Sequence, residues 1–307
     1  MDARIIRELR DALGADRVST APEDLVAYAY DGTWAEQQPD VVIHPQTTAE
    51  VAAVLRIADA SRVPVVPRGA ATGLAGGALP VAGGICLNMA RMNRILDISI
   101  PDTLAVVQPG VITLDLQKAV EKYGFFYPPD PASVYQCTIG GNVATNAGGP
   151  RCLKYGVTGD YVLGLEVVVP GGHVLRLGGR TIKNVSGYNL KELFIGSEGT
   201  LGVVTEITVR LIPKPAAQMT ALAAFPRLAD ACQAVGNILQ AGVVPLVTEL
   251  MDHATIRAVE DFKHLGLPTD VEALLLVAVD GDADTVVREI AEVAAILQQS
   301  GAREVRQ

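Results

Sequence analysis

The stretch Gln136-Cys137-Thr138-Ile139-Gly140-Gly141-Asn142-Val143-Ala144-Thr145-Asn146-Ala147-Gly148-Gly149-Pro150 carries no charge and almost no bulk. Its glycines stand in two pairs, with Asn142 and Asn146 between them. Glycine reaches positive φ without strain and lets a ligand approach the backbone. Freed N–H groups can then form an anion-binding nest, while Thr138, Asn142, Thr145 and Asn146 add neutral donors and acceptors. Two readings follow. One is a cradle for a large polar ligand with phosphates and ring nitrogens. The other is a tight turn of small residues with no ligand.

Upstream, Val41 to His44 reads as a strand stopped by Pro45, and Thr48 as the cap of a helix to about Ser61. Val63 to Val66 reads as the next strand. This unit runs into Pro67-Arg68-Gly69-Ala70-Ala71-Thr72-Gly73-Leu74-Ala75-Gly76-Gly77. A glycine-rich loop after a strand can hold phosphate. This one has Gly69-x-x-x-Gly73, so it matches neither the Gly-x-Gly-x-x-Gly fingerprint nor a Walker loop. An ordinary dinucleotide-binding or P-loop protein is therefore not expected. Arg68 is open to two roles, contact with a phosphate or support of a nearby carbonyl or carboxylate.

The 307 residues suffice for two or three domains, and 49% are hydrophobic. A net charge of −9 argues against a nucleic-acid partner. Cys86, Cys137, Cys152 and Cys232 form no Cys-x-x-Cys pair and read as free thiols in a reducing compartment. The Asn184-Val185-Ser186 sequon is then incidental. Met1 to Leu13 lacks the apolar run of a signal peptide, and no stretch suggests a membrane span. The expected setting is cytoplasmic, with peripheral attachment to the inner face of the membrane through a partner left open.

Residues 2–13 and 22–30 read as helices, and 85–89, 95–98 and 104–108 as strands. Thr113 to Tyr123 is a helix that Gly124 stops. Tyr127 to Ser133 is made rigid by its prolines. Val162–Val169 and His173–Leu177 flank Pro170-Gly171-Gly172, a hairpin signal. Val203 to Ile212 alternates as a strand, and Pro213 and Pro215 mark a boundary. Beyond it come strands at 220–225, 246–251 and 272–280 and helices at 228–240, 254–264 and 283–300, read as a sheet with helices on one face.

Taken together, Pro67 to Gly77, Pro128 to Ser133, Thr138 to Gly149, Lys154-Tyr155-Gly156 and Gly196-Ser197-Glu198-Gly199-Thr200-Leu201-Gly202 resemble the FAD-linked oxidases of the vanillyl-alcohol-oxidase type. These have the para-cresol-methylhydroxylase (PCMH) FAD-binding fold. Within them, the chain is most similar to the FAD subunit of glycolate oxidase and to D-lactate and other D-2-hydroxyacid dehydrogenases. The resemblance covers roughly residues 20–215.

It implies an α+β fold: a two-lobed PCMH-type FAD-binding domain over 1–214, with lobes at 1–100 and 101–214, then a partial α+β substrate cap over 215–307. It also implies that Pro67, Arg68, Gly69, Ala70, Ala71, Thr72, Gly73 and Leu74 wrap the diphosphate of FAD. Thr138, Gly140, Gly141, Asn142, Thr145, Asn146, Gly148 and Gly149 would line the flavin and phosphates. Pro131, Ala132 and Ser133 would approach beside them, and Gly199 and Val204 would run past.

Three positions depart from the family pattern. Ala71 stands where glycine is frequent, Asn189 where aspartate is usual, and Thr145 where glutamate is common. The members with covalent flavin use a histidine in the first glycine-rich loop, and none lies between Pro67 and Gly77, which implies non-covalent FAD.

The implied reaction is oxidation of a 2-hydroxy acid of the glycolate or D-lactate class by hydride transfer to flavin N5. No catalytic base can be named, because the family draws it from segments beyond position 307. His44, His173, His253 and His264 form no metal-like pair, so no metal is expected. Glu249 and Asp252 are open to two readings, groups that reach the active site or strand-end carboxylates, and the second is preferred.

Three functions stay open: a hydroxyacid oxidoreductase completed by a second subunit or missing half, an FAD-binding subunit inactive alone, or an oxidase of another alcohol. The electron acceptor is unspecified. A half-formed cap would leave apolar strand faces and the apolar face of 283–300 uncovered, for a partner or second copy to bury.

Overall fold

The computed structural model describes residues 1–307. The chain divides into two compact units, Met1–Ala147 with Val157–Pro213, and Gly148–Gly156 with Lys214–Gln307.

In the first unit, α1 (Ala3–Leu13) presents Ile5, Leu9 and Leu13 to the core and is followed by β1 (Val18–Ser19). The next helix, α2 (Pro22–Val26), is shorter than the expected 22–30. β2 (Val41–Ile43) leads into α3 (Thr48–Ser61), then β3 (Val65–Arg68) and β4 (Ile85–Asn88). The four strands form a sheet in the order β1-β2-β4-β3, parallel except at β1.

The cap of α3 is Thr47, not Thr48. Thr47 and Glu50 form a reciprocal capping box, a device whose cap residue contributes about 1 kcal/mol. Thr48 is freed to donate from Oγ1 to Glu166 at 2.6 Å.

Further along, β5 (Ile95–Ser99) pairs with β6 (Leu104–Val107). After α4 (Thr113–Glu121), β7 (Phe125–Phe126) and α5 (Ile139–Thr145), the chain makes α6 (Cys152–Tyr155) in the second unit. It then returns for β8 (Val162–Val169), β9 (His173–Gly178), α7 (Lys191–Phe194), β10 (Val203–Arg210) and β11 (Ile212–Pro213). Five strands form an antiparallel sheet ordered β5-β6-β10-β8-β9. The expected hairpin is present, with Val169 opposite His173 and both Gly171 and Gly172 at positive φ. Val168 and Val203 of this sheet join Val51, Val54, Ile43 and Leu87 in one core, so the two sheets of this unit share apolar packing.

The second unit contains β12 (Ala217–Phe225), α8 (Leu228–Gln240), β13 (Val247–Asp252), α9 (His253–Lys263), β14 (Ala273–Gly281), α10 (Ala283–Gln299) and β15 (Glu304–Arg306). Its sheet is antiparallel, ordered β13-β14-β12-β15.

Two expectations fail here. Helices do not lie on one face only. α8 and α10 cover the face of Ala223, Phe225, Leu275 and Val277, whereas Ile256 of α9 packs with Ala224 and Leu274 on the other. Alternation along β14 sends apolar side chains to both sides, so both need cover. Nor is the apolar face of α10 open: Val286, Ile290, Val293 and Leu297 are buried against β12 and β14.

Lys154 and Tyr155 of α6 bind the buried Asp280. The Lys154 ammonium donates to its carbonyl at 2.6 Å and to Oδ1, and the Tyr155 hydroxyl donates to Oδ2 at 2.8 Å. This fastening ties Gly148–Gly156 to the second unit's sheet.

Candidate functional site

The glycine-rich stretch is neither a nest nor a bare turn. It is α5, a short helix capped by Thr138, whose Oγ1 accepts the Gly141 N–H. Glycine disfavours helix, so tertiary contacts hold this one. Asn142 is buried and donates from Nδ2 to Thr113 Oγ1 at 2.7 Å. Gly140 lies against Pro109, where an added Cβ would stand 2.4 Å from the proline Cβ. Asn146 ends the helix in the left-handed conformation, and its Oδ1 accepts the Gly159 N–H at 2.8 Å.

The loop after β3 comes to the same place. At Gly69 an added Cβ would stand 2.4 Å from Thr138 Oγ1, so only glycine allows the two segments this approach. Thr72 Oγ1 lies 3.0 Å from Ser133 Oγ, joining the loop to the proline-rich segment. Ala71 takes φ +54°, the region glycine would occupy without strain. The third segment is tied to α5 by backbone bonds, Gly196 N–H to Val143 O and Glu198 N–H to Ala144 O. Glu198 itself has φ +51° and directs its carboxylate toward Gly77.

These segments wall one cleft of about 270 Å³. Of the expected residues, Pro67, Arg68, Gly69, Ala70, Ala71, Thr72, Gly73, Pro131, Ser133, Thr138, Gly140, Gly141, Asn142, Thr145, Gly199 and Val204 line it. Leu74, Ala132 and Asn146 do not, and Leu74 is exposed. Gly148 and Gly149 belong to the second unit, where the Gly149 N–H donates to Cys152 Sγ at 2.9 Å. Asp31, Met89, Pro109, Cys137, Phe194 and Glu198 also line the cleft. Glu198 was within reach of sequence reading, since it sits in the Gly196–Gly202 motif; Asp31, Met89 and Pro109 carry no such signal.

The lining is chiefly backbone and small side chains. Its ionisable groups are Asp31, Arg68, Cys137 and Glu198. Asp31 is engaged, accepting from the Thr33 N–H at 2.8 Å and from the Thr33 hydroxyl. Arg68 is buried at the end of β3. It donates from Nη1 to the carbonyls of Tyr28 and Ala78, both at 3.5 Å, and lies 5.5 Å from the Tyr28 ring centre.

Behind it, Asn88 Nδ2 lies 3.2 Å from both the Tyr28 hydroxyl and His44 Nδ1. Burial, then the charge of Arg91, holds the His44 pKa below its usual value. Burial pushes the Cys86 thiol up to about 11, with Arg68 pulling the other way. A wall of small residues and closely approaching backbone with one cation suits a large, mostly neutral ligand with an anionic centre, which is the shape of FAD. No His/Cys/Asp/Glu group able to hold a metal occurs.

Asp252 is spent in the second unit as the N-cap of α9, accepting the Thr255 N–H at 2.8 Å. This supports its reading as a strand-end carboxylate.

Comparison with known proteins agrees with this geometry. Residues 39–178 match the FAD binding domain family, and residues 214–307 match the C-terminal domain of FAD linked oxidases. The chain is 45% identical over 300 residues to the glycolate oxidase subunit GlcD of Bacillus subtilis, covering 97% of this chain and 64% of that one. It is 37% identical over 281 residues to D-lactate dehydrogenase of Anaerostipes hadrus, covering 89% of this chain and 58% of that one. The chain thus spans about three fifths of these relatives' length.

Its fold matches p-cresol methylhydroxylase with a TM-score of 0.82 at 19% identity, over 99% of this chain and 65% of the other. The chain belongs to the FAD-linked oxidases, with a PCMH-type FAD-binding domain and the family's C-terminal domain.

Proposed function

We propose that the protein is an FAD-dependent oxidoreductase acting on a 2-hydroxy acid of the glycolate or D-lactate class. The observation that carries this reading is the cleft, where Gly69, Gly140, Gly141 and Gly199 bring backbone from three segments to one ligand-sized space. The relatives' names supply the substrate class. Pro67 to Gly73 would hold the diphosphate, while Thr138 to Thr145, Gly199 and Val204 would line the rest of FAD. Bound FAD supplies a two-electron acceptor for oxidation at the α-carbon of the acid. No histidine lines the cleft, which supports a non-covalent cofactor.

The protein's own part is to orient and to exclude water. Buried Thr138 and Asn142 fix the helix against which the cofactor would lie. The cleft holds no histidine or lysine suited to take the hydroxyl proton. That observation favours a second reading, an FAD-binding subunit that needs another polypeptide for turnover. The name of the Bacillus subtilis relative is that of a subunit. Four unpaired cysteines fit the cytoplasm as the working compartment. No helix is long and apolar enough to cross a membrane; attachment at the inner face through a partner stays part of this reading.

The test is the visible spectrum of purified protein, before and after D-lactate or glycolate is added without oxygen. Bleaching of a flavin spectrum supports the oxidoreductase reading in full. A flavin spectrum unchanged by these acids and by other alcohols supports the subunit reading. No flavin after FAD is supplied defeats both.

A further inference from the structure

We propose that two copies of this chain dock through unlike faces. The basic, apolar loop from Arg180 to Leu193 of one copy seats on the acidic, aromatic turn around Trp34 of the other. The inference goes beyond the cofactor reading and does not depend on it.

Trp34 is the sole tryptophan and is fully exposed. It lies in a turn closed by the antiparallel bridge between Tyr30 and Glu36 and by the Gln37 N–H, which donates to the Ala29 carbonyl at 2.7 Å. The turn is braced from within and from outside. Thr33 donates to Asp31 from its N–H and its hydroxyl, and the Gly32 N–H donates to the Gly73 carbonyl at 3.1 Å. That approach brings Leu74 beside the turn, its Cδ2 2.9 Å from where a Cβ on Gly32 would stand. Leu74, Tyr30 at the base of the turn and Val26 on α2 are all exposed. One exposed apolar side chain is ordinary, but several around a bare tryptophan mark an interaction face.

The second face follows β9. Every residue from Arg180 to Leu190 is exposed, Val185 at 81% and Tyr188 at 92%. Ile182, Leu190 and Leu193 are exposed with them. The Leu190 N–H donates to the Tyr188 carbonyl at 2.9 Å and the Leu193 N–H to the Leu190 carbonyl at 3.1 Å, which keeps these three side chains on one turn.

Charge decides the occupant. Residues 18–43 hold Glu23, Asp24, Asp31, Glu36 and Asp40 and no lysine or arginine. Residues 179–191 hold Arg180, Lys183 and Lys191 and no aspartate or glutamate. Arg180 is shared with Asp97 at 2.6 Å and Lys191 with Glu192, but Lys183, Glu23 and Glu36 form no ion pair.

Either face set against its own copy would bring like charges together, which repels. Set against each other, the faces enclose aromatic centres in a rim of opposite charge, the make-up of a protein interface. An anionic bilayer would accept the loop and repel the turn, leaving Trp34 bare. Around a two-fold axis the contact forms twice and closes a dimer, and without closure it runs from copy to copy.

The experiment follows the mass of the 307-residue chain by sedimentation over micromolar concentrations, with the emission maximum of Trp34 read on the same samples. Mass is expected to rise with concentration, and the emission to move to the blue as Trp34 is covered. Lys183→Glu and Glu36→Lys should each weaken association by about 10-fold or more, as like charges brought together do. Mixing these two variants should restore it, because the reversed loop of one then meets the reversed turn of the other. Trp34→Ala should also weaken association. Glu292→Lys, which makes the same charge change as Glu36→Lys on the exposed side of α10, should leave it as in wild type. All these side chains are exposed, so unfolding temperatures should stay at the wild-type value.

A chain that stays monomeric overturns the proposal, and the two faces then belong to another partner. Association with the Trp34 emission unmoved overturns it as well. So does failure of the mixed variants to associate, or an equal effect of Glu292→Lys.

Discussion

Along the cleft of the first unit the residues that meet are mostly glycine, alanine, serine and threonine. Along β12 and β14 of the second unit they are Phe225, Leu275, Val277 and Val279, all without exposed surface. One region is defined by close approach of backbones, the other by side chains that fill space. The difference separates two kinds of sensitivity. Substitutions in the sheet should act on stability, and substitutions in the cleft should act on what the cleft holds.

The strongest test lies in the sheet. Phe225→Ala should cost about 3–5 kcal/mol, the range for emptying a packed aromatic site. Calorimetry would show it, while FAD affinity measured on the folded fraction should hardly move. An equal loss of affinity would break the comparison.

Next comes Asp280→Ala. It strands Lys154 and Tyr155, whose partner carboxylate is 4% exposed. Breaking a buried pair costs about 3–5 kcal/mol. Lys154 keeps 25% exposure, so about 2–3 kcal/mol is expected in chemical denaturation.

Within the cleft, two alanine substitutions should diverge. Gly69→Ala forces Cβ to 2.4 Å from Thr138 Oγ1 and should cost about 1–3 kcal/mol, as overpacking does. Gly73→Ala meets nothing within 4 Å, so its stability should change by less than about 1 kcal/mol. Its FAD affinity should still fall, because the new methyl would occupy the space where backbone meets the cofactor. Melting curves alongside FAD titrations decide it, and normal binding by Gly73→Ala would move the diphosphate elsewhere.

The smallest effect concerns pH. Burial, then the neighbouring Glu166 carboxylate, raises the Glu206 pKa above 4.5. The folded state then binds more protons than the unfolded one across the window from 4.5 to the raised value. Stability therefore declines as pH rises through it. Glu206→Gln should remove that decline, leaving the variant the more stable at pH 7 and no different at pH 4. Parallel pH profiles would count against it.

Much of this was readable before the fold was known. α1, α3, α8 and α10 follow from apolar spacing, and the β8–β9 hairpin from Pro170-Gly171-Gly172, because these signals lie within one turn or one face. Two-residue strands such as β1, β7 and β11 have no pattern long enough to see.

The stretch around Gly140 was legible as a ligand-suited surface but not as a helix. Its helix depends on Thr113 and Pro109, which are distant in sequence. For the same reason no local pattern shows that Asn146 ends this helix and accepts the Gly159 N–H.

By itself, the sequence determined that this chain carries two glycine-rich surfaces and the family pattern of an FAD-linked oxidase. Composition, spacing and local periodicity suffice for those. Only the tertiary structure decided that Gly69 meets Thr138, that Gly148–Gly156 joins the second unit through Asp280, and that Arg68 lies buried without a carboxylate. Each of these is a distance between residues far apart in the chain, set by how sheets pack, and no local pattern encodes it.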